Sequence, residues 1–150
     1  MQIKIKKLVE TAVIPSYAKE GDAGMDLTAT CFFVDENGCA VFGTGLSFEI
    51  PKGYVGLLFP RSSISQKKYH LTNSVGVIDS GYRGEVMFKF KPTMIFTNNA
   101  VSIEGSEFEY MVGDRIGQVI IIPHPEIEFL ESDELSETDR GMGGYGSTGN

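Results

Sequence analysis

Residues 46–60, LSFEIPKGYVGLLFP, contain two strand patterns that decide the fold class. Leu46–Ile50 alternates apolar and polar side chains before a proline, which predicts a strand with one buried face. Tyr54–Phe59 is mainly apolar between Gly53 and Pro60, which predicts a more fully buried strand. Short strands that end at glycine or proline are typical of all-β barrels and sandwiches.

The same pattern recurs on both sides of this stretch. Val86–Phe90 alternates again before Pro92, and Gln118–Ile122 is a second apolar run between glycine and proline. At the beginning of the chain, Ile3–Lys6 alternates isoleucine with lysine, which predicts a strand with one buried face. The polar residues within Lys91–Glu109 predict an extended hairpin or loop.

One segment favours a helix: Ser62–Tyr69, with Ser62 or Ser63 as the N-cap. We therefore predict an all-β barrel or sandwich with one short helix. Residues 1–130 should form the barrel core. Residues 131–150 are acidic, polar and then glycine-rich, so we expect them to form a mobile tail that buries too little apolar area to order itself.

The composition limits the classes of partner. A net charge of −7 in 150 residues disfavours non-specific nucleic-acid binding, which needs many lysines and arginines. The best apolar run is only Val119–Ile122, far short of the roughly 20 residues of a membrane helix, so we expect no membrane association. Cys31 and Cys39 have no zinc-binding spacing, and reduced thiols favour a cytoplasmic location.

Five glycine-punctuated clusters contain all four arginines, whereas the nine lysines lie mainly outside them. Because the planar guanidinium suits phosphate better than an ammonium does, the clusters are candidates for a phosphate site. Singly, each is weak evidence: Asp26 and Asp114 are typical Asx-turn residues, and Arg115 is equally suited to pair with a carboxylate as a buried structural partner. The clusters are Ala23–Leu27, Pro60–Ser63, Gly76–Glu85, Gly113–Gln118 and Arg140–Gly149.

In this order, the five clusters resemble the five motifs of the trimeric dUTPase family. The resemblance covers Ala23–Gly149, and its specific pieces are Gly76–Gly84 and Arg140–Gly149. The last cluster is not a Walker A loop, because it has no lysine before its hydroxyl residue. The resemblance implies a jelly-roll-like β-barrel and a homotrimer with active sites shared between subunits. It also implies that dUTP is hydrolysed to dUMP and pyrophosphate, which limits uracil in DNA and supplies dUMP for thymidylate synthesis.

By the same resemblance, Asp79 is the general base that activates a water to attack the α-phosphorus. Tyr82 lies against the deoxyribose and excludes a ribose 2′-hydroxyl. Asn73 binds the uracil edge, with help from backbone groups of the hairpin from Gly76 to Met87. The residues of that hairpin that we expect to contact the substrate are Gly76, Val77, Ile78 and Met87.

The remaining implied contacts are to the phosphates. Arg61, Ser62, Ser63 and Gln118 hold them, with Asp26 beside the phosphate chain. The resemblance implies Mg²⁺ as cofactor, held through phosphate oxygens and waters near Asp26 with no direct protein ligand. From the tail, Arg140 reaches the γ-phosphate, Tyr145 stacks on uracil, and further donors complete the site. Those further tail residues are Gly144, Gly146, Ser147 and Thr148.

Two alternatives stay open at this point. A dCTP deaminase of the same fold is the first, although such enzymes lack the complete glycine-rich tail. The second is a regulatory trimer in which nucleotide binding controls the affinity for a protein partner, and Lys91–Glu109 is a place where such a partner would bind. Tyr145 stands where phenylalanine is commoner in the family, and Gly81 where an acidic residue is often found.

Overall fold

The computed structural model describes residues 1–97, 100–104 and 109–144, and for residues 94–104 of these ranges only the backbone. Within these ranges the chain forms eleven strands and one short 3-10 helix, Ser62–Gln66, which confirms the predicted all-β class. The strands are β1 (Lys4–Lys7), β2 (Met25–Thr28), β3 (Cys31–Val34), β4 (Ala40–Gly43), β5 (Leu46–Glu49), β6 (Tyr54–Phe59), β7 (Tyr69–Leu71), β8 (Gly76–Ile78), β9 (Met87–Thr97), β10 (Ala100–Glu104) and β11 (Arg115–Pro123).

The described strands form three antiparallel sheets around one core. β1 pairs with β5, and β3, β4, β9 and β10 follow one another in a second sheet in which β7 also pairs with β9. The third sheet has the order β2-β11-β6-β8. This arrangement is the barrel or sandwich that the strand pattern predicts, in the jelly-roll-like form that the family resemblance implies.

Aromatic rings fill the centre of the core. The ring centroids of Phe42, Phe90 and Tyr110 lie 5.6 to 6.1 Å apart. Burying a side chain of this size stabilises the fold by about 1.5–3 kcal/mol. Other fully buried side chains come from β2, β5, β9 and β11, so the core connects the sheets. They are Leu27, Leu46, Phe88, Ile116 and Val119.

The two strands predicted from residues 46–60 are confirmed as β5 and β6. β6 is less buried than predicted: Gly56 and Leu58 are buried, and the other four residues of the strand are half-buried. The reason is that only one face of this sheet packs on the core. The strand predicted at Ile3–Lys6 forms one residue later as β1, in which the half-buried Ile5 lies opposite Phe48.

The predicted helix at Ser62–Tyr69 is wrong in length and type. The chain forms a 3-10 helix only over Ser62–Gln66, its N-cap is Arg61, and neither Ser62 nor Ser63 caps it. Tyr69 instead begins β7 and is buried against Phe90, with ring centroids 5.5 Å apart. Burial of this ring outweighs the weak helical propensity of the segment.

The strand that starts near Val86 is longer than the alternation predicts. β9 continues through Pro92, which lies opposite Tyr69 at the end of the β7 ladder, where a missing N–H is tolerated. Beyond this point β9 pairs with β10, so the predicted hairpin within Lys91–Glu109 is confirmed. Asn98 and Asn99 lie outside the described residues.

The part of the chain after β11 is extended. Residues 124–144, the last described, form no strand or helix and are almost all exposed. The mobility predicted for residues 131–150 stays a prediction. In the described residues, no helix is both long and apolar enough to cross a membrane.

Candidate active site

Strand register brings one carboxylate and one amide together at an end of the third sheet. Asp26 on β2 lies opposite Gln118 on β11, and Gln118 lies opposite Phe59, the last residue of β6. Directly opposed residues of antiparallel strands project from the same face of the sheet. Arg61 follows two residues after Phe59 and therefore starts from the same end.

Asp26 binds two arginines at once. Its Oδ1 accepts a hydrogen bond from Arg61 Nε at 2.8 Å, and its Oδ2 accepts one from Arg115 Nη1 at 3.0 Å. The Asp26 and Arg61 side chains are 25 % and 28 % exposed, whereas that of Arg115 is 57 % exposed. Arg115 does pair with a carboxylate, but on an open surface and not as a buried structural partner.

These groups line a cleft of about 460 Å³. Gln118 Nε2 donates to the carbonyl of Pro60 at 3.2 Å, which fixes the amide against the end of β6. Gly24 is required beside it, because a Cβ at this position would lie 2.3 Å from Gln118 Oε1. Asp22 and Ile120 also line the cleft. The cleft thus presents two guanidinium groups and an amide to solvent, which is the donor set that phosphate oxygens prefer.

The loop after β8 carries the predicted catalytic base. Asp79 is exposed and starts a turn that is closed by a hydrogen bond from Tyr82 N to Asp79 O at 3.0 Å. The Tyr82 hydroxyl donates to Glu85 O at 2.9 Å, which anchors a ring that is 43 % exposed. A Cβ on Gly84 would lie 2.4 Å from that hydroxyl oxygen, so a glycine lets the ring lie across the loop.

β8 is the outer strand of its sheet within the described residues. It pairs with β6 on one side, and no other described strand pairs with its second edge. Alternate backbone N–H and C=O groups on that edge are available to a ligand. Asn73, in the turn before β8, is exposed, as are Val77 and Met87, whereas Gly76 and Ile78 are buried.

Asp79 and Arg61 lie toward opposite ends of the sheet within one chain. β8 is antiparallel to β6 with Ile78 opposite Gly56, so Asp79 lies toward the beginning of β6. Arg61 lies beyond its end. Residues along a strand are spaced by about 3.3 Å, so roughly 15–20 Å separate the two backbone positions. One chain therefore does not bring the predicted base next to the arginine cleft.

Asp26 is poorly suited to bind a metal ion directly, because each of its oxygens already accepts a hydrogen bond from an arginine. Among the described residues, no three His, Cys, Asp or Glu side chains are grouped as a metal site. An ion bound to the phosphates, with waters toward Asp26, fits this donor set.

The structure therefore assembles only part of the predicted site. It brings Asp26, Arg61 and Gln118 together, and Ser62 and Ser63 follow in the 3-10 helix. Arg140 Nε donates to Gly143 O at 3.0 Å, with Gly144 exposed next to it. Tyr145, Gly146, Ser147 and Thr148 lie outside the described residues.

Arg115 is not among the residues that the sequence predicts to contact the substrate. It belongs to the cluster Gly113–Gln118, but spacing alone does not show on which face of the strand its guanidinium lies. A register shift between Arg115 and Gly117, visible in the pairing of β11 with β2, decides that face.

An all-β chain with an arginine cleft on one sheet and an exposed carboxylate on a glycine-rich loop belongs to the class of proteins that process a small phosphorylated ligand. A family model described as dUTPase matches residues 10–149. The deoxyuridine 5′-triphosphate nucleotidohydrolase of Nautilia profundicola is 40 % identical over 99 % of both chains. The mitochondrial deoxyuridine 5′-triphosphate nucleotidohydrolase of Dictyostelium discoideum is 40 % identical, and the match covers 97 % of this chain and 76 % of that relative.

Solved structures agree with this match. The dUTPase of Staphylococcus bacteriophage 80alpha with dUPNHPP has a TM-score of 0.79 and 29 % identity over 99 % of both chains. A variant dUTPase of phage phi11, described with a structural Mg(II) ion, has a TM-score of 0.70 and 26 % identity over 89 % of this chain and 98 % of its own. The chain belongs to the dUTPase family, and its activity is dUTP diphosphatase.

Proposed function

We propose that a homotrimer of this chain cleaves dUTP at the α-phosphorus, in sites to which one subunit contributes Asp79 and another the Arg61 cleft. The observation that carries the proposal is the separation of these two groups, roughly 15–20 Å of backbone along the sheet. A base that delivers water to the α-phosphorus and an arginine that binds the adjoining phosphates must lie within a few ångströms of the same substrate. Two subunits satisfy this requirement, whereas one does not.

Asp79 is the group that activates the attacking water in this proposal. A carboxylate accepts a proton from water and orients it in line with the leaving pyrophosphate. The turn closed by Tyr82 N and Asp79 O holds the backbone of the base in place. Water adds to the α-phosphorus and gives its proton to Asp79. The bond from the α-phosphorus to the oxygen that bridges it to the β-phosphorus breaks, and pyrophosphate leaves.

The neighbouring residues select the nucleoside. Tyr82, tethered to Glu85 O, presents its ring to the deoxyribose and leaves no space for a 2′-hydroxyl. The open edge of β8 and Asn73 pair with the uracil edge, and cytosine would leave buried groups unpaired. Gly76, Val77, Ile78 and Met87 form the surrounding hairpin.

The arginine cleft binds the phosphates. Arg61, Ser62, Ser63 and Gln118 supply the donors, and Asp26 orients Arg61. Mg²⁺, when bound by the phosphates, neutralises charge that grows on the leaving group. Residues 131–150 act as a lid in which Arg140, Gly144, Tyr145, Gly146, Ser147 and Thr148 contact the nucleotide.

The cellular role follows from this reaction: removal of dUTP limits uracil in DNA, and dUMP supplies thymidylate synthesis. A cytoplasmic location stays a prediction, supported by two unpaired thiols, Cys31 and Cys39. A regulatory protein partner also stays a prediction, with the β9–β10 hairpin as the proposed contact. The dUTPase match makes the dCTP deaminase alternative the weaker one.

The test is pyrophosphate release from dUTP, with dCTP, dTTP and UTP as comparators, by the wild type and by Asp79→Asn. The amide preserves the shape of the carboxylate and removes the base, so kcat should fall by about 100-fold or more while dUTP still binds. Lys89→Met serves as a control for surface charge, because its ion pair with Asp35 lies on another sheet. An Asp79→Asn variant that keeps more than a tenth of kcat would refute the assignment, and ammonia release from dCTP would favour the deaminase.

A further inference from the structure

Arg115 occupies the cleft because β11 contains an irregularity. Gln118 faces the cleft and Val119 is fully buried, so strict alternation would turn residue 116 toward the cleft and residue 115 toward the core. The pairing with β2 shifts register between Arg115 and Gly117. Ile116 is therefore fully buried, and Arg115 lies on the same side as Gln118.

Stability does not explain this arrangement. The Arg115 side chain is 57 % exposed, and exposed ion pairs contribute little to folding. β-bulges next to sites commonly redirect a side chain. In this strand, the irregularity directs the Arg115 guanidinium to the Asp26 carboxylate, which also binds Arg61.

The two ion pairs divide the Asp26 carboxylate between the arginines. Arg61 uses Nε on Oδ1, and Arg115 uses Nη1 on Oδ2. With Oδ2 held by Arg115, the carboxylate cannot rotate to take a bidentate bond from Arg61. The two terminal amino groups of Arg61 are thus kept available for a ligand.

We infer that Arg115 is a positioning residue for the polyphosphate of the substrate, acting through Asp26 on Arg61. This inference rests on the proposed function, because it assumes that the Arg61 cleft binds the phosphates of dUTP. It adds a residue outside the phosphate contacts already proposed.

The experiment measures kcat and KM for dUTP in Arg115→Met, together with inhibition of turnover by tripolyphosphate and by deoxyuridine. We expect kcat/KM to fall about tenfold and the tripolyphosphate Ki to rise by a similar factor, since one charge-assisted contact is disordered. The deoxyuridine Ki should change less than about twofold, because that ligand has no phosphate. Lys89→Met is the matched control: it removes a half-exposed cation from the Asp35 carboxylate, and it should match the wild type in all three measurements.

A second comparison separates positioning from direct contact. Lysine has no guanidinium group for Asp26 to orient. In an Arg61→Lys background, Arg115→Met should therefore change kcat/KM by less than about twofold. Losses that multiply in the double variant would overturn the inference, as would a wild-type tripolyphosphate Ki in Arg115→Met. A deoxyuridine Ki that rises together with the tripolyphosphate Ki would show general damage and would also overturn it. Wild-type protein without dUTP turnover would instead refute the proposed function.

Discussion

Gly117→Ala tests whether the packing under the bulge supports the cleft. A Cβ on Gly117 would lie 2.1 Å from Cε1 and 2.3 Å from Cζ of Phe88. Phe88 is 1 % exposed and stacks on Phe90 with ring planes 10° apart. The Phe88 ring therefore has to retreat by more than about 1 Å into a filled core, which is overpacking of the kind that costs about 1–3 kcal/mol.

We expect a loss near the upper end of that range, because a backbone-linked atom is pressed against a buried ring. At a fixed protomer concentration, the midpoint of thermal unfolding should fall by about 6–12 °C. Activity should fall as well, since Gly117 lies between Arg115 and Gln118 and any backbone shift moves both.

Gly81→Ala provides the control, because its added Cβ meets no atom within 4 Å and its φ is not positive. It should unfold within about 1 °C of the wild type. Phe88→Leu in the Gly117→Ala background should recover part of the loss, because the smaller side chain leaves space for the methyl group. A Gly117→Ala protein with wild-type unfolding temperature would refute the packing argument, and so would equal losses in the two alanine variants.

Two further predictions concern charge and the tail. The Lys89 ammonium beside Asp35 holds the pKa of that carboxyl below its ordinary value. The ionised Asp35 therefore stabilises the folded protein above the unfolded pKa, and this stabilisation is lost as the pH falls through the folded pKa. Asp35→Asn, which keeps the bonds from Asn37 N and Cys39 N, should thus unfold earlier than the wild type at pH 7. The two proteins should converge in thermal unfolding once the pH falls below the folded pKa of Asp35. Ending the chain after Asp139 should leave a folded trimer by light scattering with dUTP turnover reduced by at least about 100-fold, because it removes Arg140 and Tyr145. Full turnover in the truncated protein would contradict the lid.

Local patterns predicted the strands well where apolar residues alternate with polar ones or form a short run between glycine and proline. β5 and β6 follow directly from residues 46–60. The helix at Ser62–Tyr69 was wrong because the burial of Tyr69 against Phe90 depends on a strand some twenty residues away. β9 continues through Pro92 for a similar reason: the ladder to β7 ends there, and no periodicity reveals this.

The candidate site was predictable in its residues but not in its geometry. The motif resemblance identified Asp26, Arg61, Gln118 and Asp79. Arg115 needed the register shift in β11, which is set by pairing with β2. The distance between Asp79 and Arg61 needed the antiparallel register of β8 on β6. Both are long-range features that no single stretch of sequence encodes.

The central claim is that each active site combines Asp79 of one subunit with the Arg61 cleft of another, and mixed trimers test it most directly. Asp79→Asn and Arg61→Ala should each be nearly inactive alone. After equimolar unfolding and joint refolding, three quarters of random trimers are mixed, and each mixed trimer regains one of its three sites. The mixture should therefore reach about a quarter of wild-type pyrophosphate release from dUTP. Activity no higher than that of the two separate variants would contradict the shared site.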